Sequence, residues 1–201
     1  MATAAPRPQA GNLAGAEISL TRFCDAVRAQ RWFERLHAEI PWERHRLRLF
    51  GREVEAPRLS CWIGDAGARY TYSGTPFAPQ AWTPGLIELR DLLFAHSGKS
   101  YNSVLCNLYR DGRDSMGWHS DDEPELGEAP VIASLSFGAV RRFQLRHRYD
   151  PGRRLALDLP SGSLLTMAGK TQQNYRHALP KTARQVGARI NLTFRWIYPA
   201  G

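Results

Sequence analysis

The stretch Asn107-Leu108-Tyr109-Arg110-Asp111-Gly112-Arg113-Asp114-Ser115-Met116-Gly117-Trp118-His119-Ser120-Asp121-Asp122-Glu123 holds the chain's most informative chemistry. It reads as a short strand, then a polar turn carrying Gly112, then an imidazole and a carboxylate two residues apart among further acids. On an extended backbone, side chains two residues apart project to the same side. Joined by one more imidazole from elsewhere, His119 and Asp121 would bind an octahedral metal by one face and leave three positions open. The plainer alternative is an exposed loop in which His119 caps a turn and the acids are solvated, because short motifs often match by accident.

The 201 residues suffice for one domain with a substantial core and no structural staple. Hydrophobic content of 43% and charged content of 23% are those of an ordinary globular protein. A net charge of +8 and a pI near 9.9 favour a polyanionic partner, nucleic acid before anionic membrane. Cys24, Cys61 and Cys106 are odd in number and widely spaced, which fits neither a disulfide framework nor a zinc ribbon and suits a reducing compartment. No apolar run approaches the roughly 20 residues of a membrane span, so no membrane partner is expected. Residues 1–16 lack the pattern of a secretory signal and read as a flexible leader.

Beyond the leader, Trp32, Phe33, Leu36 and Ile40 recur at helical spacing before Pro41, predicting a helix over 29–40. His45 to Phe50 alternates basic and apolar residues, Gly51 signals a turn, and Glu53 to Pro57 returns as a second arm. Leu49 and Phe50 are apolar where hairpin tips are usually polar. Phe50 therefore either folds onto the core or has work outside it. Tyr70 and Tyr72 share one face of a short extended segment, able to stack on a base or to pack as cross-strand pairs. Thr83-Pro84 opens a second helix, with Leu86, Leu89 and Leu93 as its stripe and Gly98 at its end.

Strands are predicted at 103–110, 131–137, 142–147, 154–159, 163–167, 175–179 and 189–197, separated by glycine, proline and aspartate signals. Helices followed by many evenly spaced strands predict a mainly β fold, a barrel or two-sheet jelly roll buttressed by helices on one side. In the last strand Ile190, Leu192, Phe194 and Trp196 take one face, and Arg189, Asn191, Thr193 and Arg195 the other. Two arginines on one face with no acid between them repel unless an anion lies near, and a guanidinium fork suits a carboxylate. An anionic small molecule inside the barrel follows from that pattern. His177, in the next-to-last strand, is the candidate third imidazole; His96 and His147 compete with it.

Taken together, His119-x-Asp121, His177, Arg189-x-Asn191-x-Thr193-Phe194-Arg195 and Asn107-x-Tyr109 resemble the AlkB family of Fe(II)- and 2-oxoglutarate-dependent dioxygenases. The similarity runs from about residue 45 to residue 197. It is strongest to the subgroup acting on duplex DNA, through Leu49-Phe50-Gly51, Gly64-Asp65-Ala66-Gly67, Tyr70-Thr71-Tyr72-Ser73-Gly74 and His177-Ala178-Leu179-Pro180. The resemblance implies a double-stranded β-helix, with a nucleotide-recognition region over 17–100 and the catalytic β-helix over 101–201 of one compact unit.

It further implies that His119, Asp121 and His177 hold Fe(II), and that Arg189 pairs with the distal carboxylate of 2-oxoglutarate, helped by Asn107, Tyr109 and Thr193. Arg195 would support the cosubstrate end at the metal, where O2 also binds. The implied reaction is hydroxylation of an N-methyl group on a base of the 1-methyladenine or 3-methylcytosine type, followed by loss of formaldehyde. Tyr72 would stack on the flipped base with His119 opposite it, while Tyr70, Ser73 and Asp122 complete the lesion pocket. Phe50, between Leu49 and Gly51, would act as a wedge in the duplex, flanked by Arg46, Arg48 and Arg52 for phosphates. Tyr72 stands where the duplex-DNA subgroup commonly has phenylalanine, which keeps stacking and adds a hydroxyl. The expected partner is alkylated DNA, double- or single-stranded, with RNA as the alternative polymer. The expected protein is a monomer, cytoplasmic in a bacterium or nuclear in a eukaryote. A non-catalytic, basic nucleic-acid-binding jelly roll is the competing class.

Overall fold

The computed structural model describes residues 15–49, 52–68, 70–72, 75–77 and 79–198. The chain opens with strand β1 (Ala16–Arg22) and helix α1 (Ala26–Glu39), which starts where Asp25 accepts a hydrogen bond from the Arg28 amide at 2.8 Å. Two short strands follow, β2 (Arg46–Leu49) and β3 (Arg52–Glu55), then β4 (Leu59–Gly64), β5 (Tyr70–Tyr72) and β6 (Thr75–Phe77). Helix α2 (Pro84–Ser97) has proline in its first turn and ends on Gly98 at φ 66°, a left-handed cap that glycine adopts without strain. The remainder is strand-rich: β7 (Ser103–Tyr109), β8 (Met116–His119), β9 (Ile132–Gly138), β10 (Arg141–His147), β11 (Arg154–Leu159), β12 (Ser163–Gly169), a single helical turn α3 (Thr171–Asn174), β13 (Tyr175–Leu179) and β14 (Arg189–Arg195).

The strands form a six-stranded sheet in the order β1-β12-β9-β14-β7-β4 and a four-stranded sheet in the order β11-β10-β13-β8. Every pairing in both is antiparallel, giving the jelly roll expected from strand spacing. The large sheet draws β1 and β4 from the first half of the chain, so residue 100 marks no seam in it. β1 begins where the leader was expected to end and pairs with β12 along its whole length, a strand that the sequence pattern did not predict.

Two of the three hydrophobic clusters among the described residues flank the large sheet. Ile190, Leu192 and Phe194 of β14, with Ala133, Leu135 and Phe137 of β9, turn outward and are covered by Ala29 and Leu36 of α1 and by Leu86, Leu89 and Leu93 of α2. Between the sheets, Ile132, Phe143, Leu145, Leu157, Leu159, Leu165, Met167 and Tyr175 form a second cluster. The helices thus fill one face of the large sheet, and the other face is left to line an interior cavity.

Candidate active site

The cavity is lined by inward residues of β14 (Arg189, Asn191, Thr193, Arg195), β7 (Leu105, Asn107, Tyr109) and β9 (Ser134). From the small sheet come His119 of β8 and His177 of β13, joined by Asp121 just beyond β8. The turn between β7 and β8 is built tightly. Arg110 holds Asp114 through its backbone amide, Nε and Nη2 at 2.8–2.9 Å, and the Arg113 amide donates to Asp111 Oδ1 at 2.8 Å. A Cβ on Gly112 would stand 2.5 Å from the Thr182 carbonyl oxygen, so only glycine permits that close approach.

After the turn, β8 pairs with β13 so that His119 lies directly opposite His177, with ring centroids 4.2 Å apart. Ser120 donates to the Tyr175 carbonyl at 2.8 Å, and the Asp121 amide donates to Gln172 Oε1 at 3.0 Å. These two bonds tie the segment after β8 to the one before β13. One donor atom each from His119, Asp121 and His177 then lies within 4.8 Å of the others. His96 and His147 stand apart, in edge contacts with Phe23 and with Tyr175 respectively.

The donor set fits a metal ion. His119 Nδ1 lies 2.8 Å from the Gly117 carbonyl, which fixes that nitrogen as the donor and leaves the Nε2 lone pair facing Asp121 Oδ1 at 3.7 Å. Burial, with the His119 ring beside it, pushes the His177 imidazole down to about 3, so it stays neutral and ready to ligate. Burial alone would raise the Asp121 carboxyl. The Arg195 guanidinium outweighs it and holds the group well below the usual carboxylate range. Arg195 reaches Oδ2 of Asp121 from Nη2 at 2.8 Å and from Nε at 3.2 Å, orienting the carboxylate from behind. Two imidazoles and one carboxylate are the facial ligand set that suits non-haem Fe(II).

Arg189 sits 1% exposed at the other end of the cavity, where burial pulls its pKa down to about 10. Nη2 donates to Ser136 Oγ at 2.9 Å, while Nε and Nη1 have no hydrogen-bond partner among the described residues. A buried guanidinium left two donors short, with Tyr109's ring 5.4 Å from its Cζ, suits an incoming carboxylate. The sequence pattern did not anticipate Arg141, a second buried cation nearby. It donates to the carbonyls of Asp111, Asp114 and Pro180 and stands 5.8 Å from the same tyrosine ring. Arg58, also unanticipated and buried, donates to Asn107 Oδ1 at 2.7 Å.

Eight of the residues anticipated for metal and cosubstrate therefore line one cavity: Asn107, Tyr109, His119, Asp121, His177, Arg189, Thr193 and Arg195. Asp122, expected in the lesion pocket, lies off the cavity wall and is ion-paired with Arg148, whose Nη2 also donates to Ser120 Oγ at 2.8 Å. Tyr70 and Tyr72 stand in β5 opposite Phe77 and Thr75, and Leu49 closes β2 opposite Arg52. Phe50, Gly51 and Ser73 lie outside the described residues.

The chain matches the model of the 2OG-Fe(II) oxygenase superfamily over residues 18–195. It is 41% identical over 186 residues to the alpha-ketoglutarate-dependent dioxygenase alkB homolog 3 of Bos taurus, an overlap covering 88% of this chain and 64% of that protein, just under two thirds. It is 39% identical over 193 residues to the DNA oxidative demethylase ALKBH2 of Homo sapiens, covering 91% of this chain and 74% of that protein. The solved structure of OsALKBH1 shares the fold with a TM-score of 0.60 at 16% identity, covering 90% of this chain and 96% of that one.

Proposed function

Because the chain belongs to the AlkB family of 2OG-Fe(II) oxygenases, we propose that it is an oxidative demethylase of N-alkylated bases in DNA, of the 1-methyladenine and 3-methylcytosine type, releasing formaldehyde. The observation that carries this is one cavity with a metal-ligand triad at one end and a buried guanidinium, short of two partners, at the other. A metal-ligand set and a buried cation in one cavity suit a dicarboxylate. When bound, Fe(II) supplies the redox chemistry with O2 that couples decarboxylation of 2-oxoglutarate to hydroxylation of the N-methyl group. The protein's own share is positional. His119, Asp121 and His177 offer one open face, Arg195 keeps Asp121 ionised and oriented, and Arg189 fixes the cosubstrate's far carboxylate.

A DNA substrate is supported by charge as well as kinship. On the outer face of the small sheet Arg146 lies directly opposite Arg154 on one side and Arg176 on the other. Like charges at facing positions destabilise a sheet, and among the described residues none of the three is ion-paired. Arg146 stands 4.1 Å over the ring of Trp118, one residue from His119. Such a row of cations, with Arg176 next in sequence to His177, suits a phosphate backbone.

The test is formaldehyde release from methylated oligonucleotides, double- and single-stranded, at one salt concentration. Both should react in the presence of Fe(II) and 2-oxoglutarate, and absence of product from every methylated DNA would overturn the proposal. Phe50→Ala should slow the duplex reaction about tenfold, a loss of ~1.4 kcal/mol, and barely change the single strand. An aromatic wedge refills a stack that only the duplex has. Equal losses on both would place Phe50 in the core instead.

A further inference from the structure

We propose that the cleft between α1 and α2, on the far side of the large sheet from the metal triad, is a docking site for an acidic peptide segment of a partner protein with apolar anchor side chains. The cleft encloses about 630 Å³, within the range of roughly 300–1,000 Å³ typical of ligand clefts. Its floor is apolar, from Phe23, Trp32, Leu92 and Ala95, and Leu92 is 43% exposed. Arg28 and Arg31 form one wall, both exposed, and neither side chain has an ion-pair or hydrogen-bond partner among the described residues. One end is closed by Arg35, bound to Glu88 at 2.7 Å and to Glu39 at 3.1 Å, so Glu88, the acid in the cleft, is already engaged. His96, edge-on to Phe23 at 6.0 Å, stands at the other end.

Charge complementarity selects the occupant. Two unengaged arginines on the rim of an apolar trough fit carboxylates on a segment whose apolar side chains reach the floor. The chain's own residues 1–14 carry a single charged side chain, Arg7, which has the wrong sign. A second copy docked cleft to cleft would bring no free acid to Arg28 and Arg31, because Glu88 is bound by Arg35. Nucleic acid supplies the right charge. However, the large sheet separates the trough from the cavity where a target base would enter.

The experiment uses the full chain and a fluorescein-labelled decapeptide of aspartate and glutamate with two phenylalanines, read by fluorescence anisotropy at physiological salt. The wild type should bind it saturably. R28E/R31E should bind at least tenfold more weakly, with an unchanged melting temperature and unchanged demethylation of oligonucleotides. Leu92→Ser, which removes apolar floor without touching charge, should also weaken binding severalfold. A control of equal charge change, R153E/K170E, should keep the affinity of the wild type, and the same peptide with serine for phenylalanine should bind at least tenfold less tightly. Four results would overturn the proposal: no saturable binding, equal binding of the serine peptide, equal loss in R153E/K170E, or an R28E/R31E defect confined to oligonucleotides. The last would assign the cleft to nucleic acid. Because the peptide-binding arms do not depend on the metal triad, they separate this site from the demethylase activity.

Discussion

At one end of the cavity the polar groups are held by the chain itself, whereas at the other a charged group is left waiting. His119 is bonded to Gly117, Asp121 to Gln172 and Arg195, and His177 is packed against the rings of His119 and Phe143. Arg189, 1% exposed, has one bond to Ser136 and, among the described residues, two nitrogens with none. Desolvating a cation without a counter-charge is expensive, and a fold keeps such a group only if something repays it. The contrast separates two tasks. A metal needs its ligands fixed before it arrives, because geometry decides affinity and identity. A cosubstrate that leaves as product each cycle is better met by an anchor whose bonds are completed only while it is bound.

Breaking the pre-built end should have the largest effect. His119→Ala, Asp121→Ala and His177→Ala should each abolish formaldehyde release, since a three-ligand face has no spare. Retained turnover in His177→Ala together with its loss in His96→Ala or His147→Ala would dissolve the triad. Next in size, Arg189→Met should raise the KM for 2-oxoglutarate tenfold to more than a hundredfold. That is the ~1.5–3 kcal/mol of a charge-assisted bond. The sharper test is stability without ligand. Arg189→Met should leave the melting temperature unchanged or raise it, because it removes an unpaired buried charge. Arg195→Met should lower it, because it strips a buried carboxylate of its partner. If both variants lose stability alike, the two ends do not differ in kind.

Much of this contrast is visible along β14. Its strict alternation separates Ile190, Leu192 and Phe194 from Arg189, Asn191, Thr193 and Arg195, and the structure sends those two sets to the core and the cavity. Trp196, expected to continue the apolar face, lies past the end of the strand and is 42% exposed. Groups that act across loops were less legible. Gln172 sits 51 residues after Asp121 in a single helical turn, and nothing local marks it as a partner of that amide. Arg141 was hidden by one residue of register, because the strand predicted from Arg142 begins at Arg141 and turns that guanidinium inward. β1 escaped notice as an edge strand whose partner, β12, lies far along the chain. Asp122 is a lesion-pocket acid only by family resemblance; its engagement by Arg148 depends on the β10–β11 connection, which sequence spacing does not place.

Gln172→Ala should loosen the pre-built end without removing a ligand. Losing such an outer contact typically weakens metal affinity about 10- to 100-fold. Titrating the protein with Co(II) and following its visible absorbance measures that directly, with no turnover required. Unaltered affinity would mean that Ser120 and Arg195 fix Asp121 by themselves.

The smallest expected effect tests the waiting end. Ser136→Ala removes the acceptor that Arg189 Nη2 finds among the described residues. In the ligand-free protein the buried guanidinium then loses an acceptor, costing ~1–3 kcal/mol. For a protein of this size that lowers the melting temperature by roughly 2–4 °C per kcal/mol. Nε and Nη1, the nitrogens already without partners, still face the incoming carboxylate, so the KM for 2-oxoglutarate should move by no more than about threefold. Saturating 2-oxoglutarate with a redox-inert metal should recover part of the lost stability, since the ligand satisfies what the serine no longer does. A large rise in KM with no loss of stability would reverse the assignment. Ser136 would then be a direct contact to the cosubstrate, and the far end of the cavity would be as pre-built as the metal end.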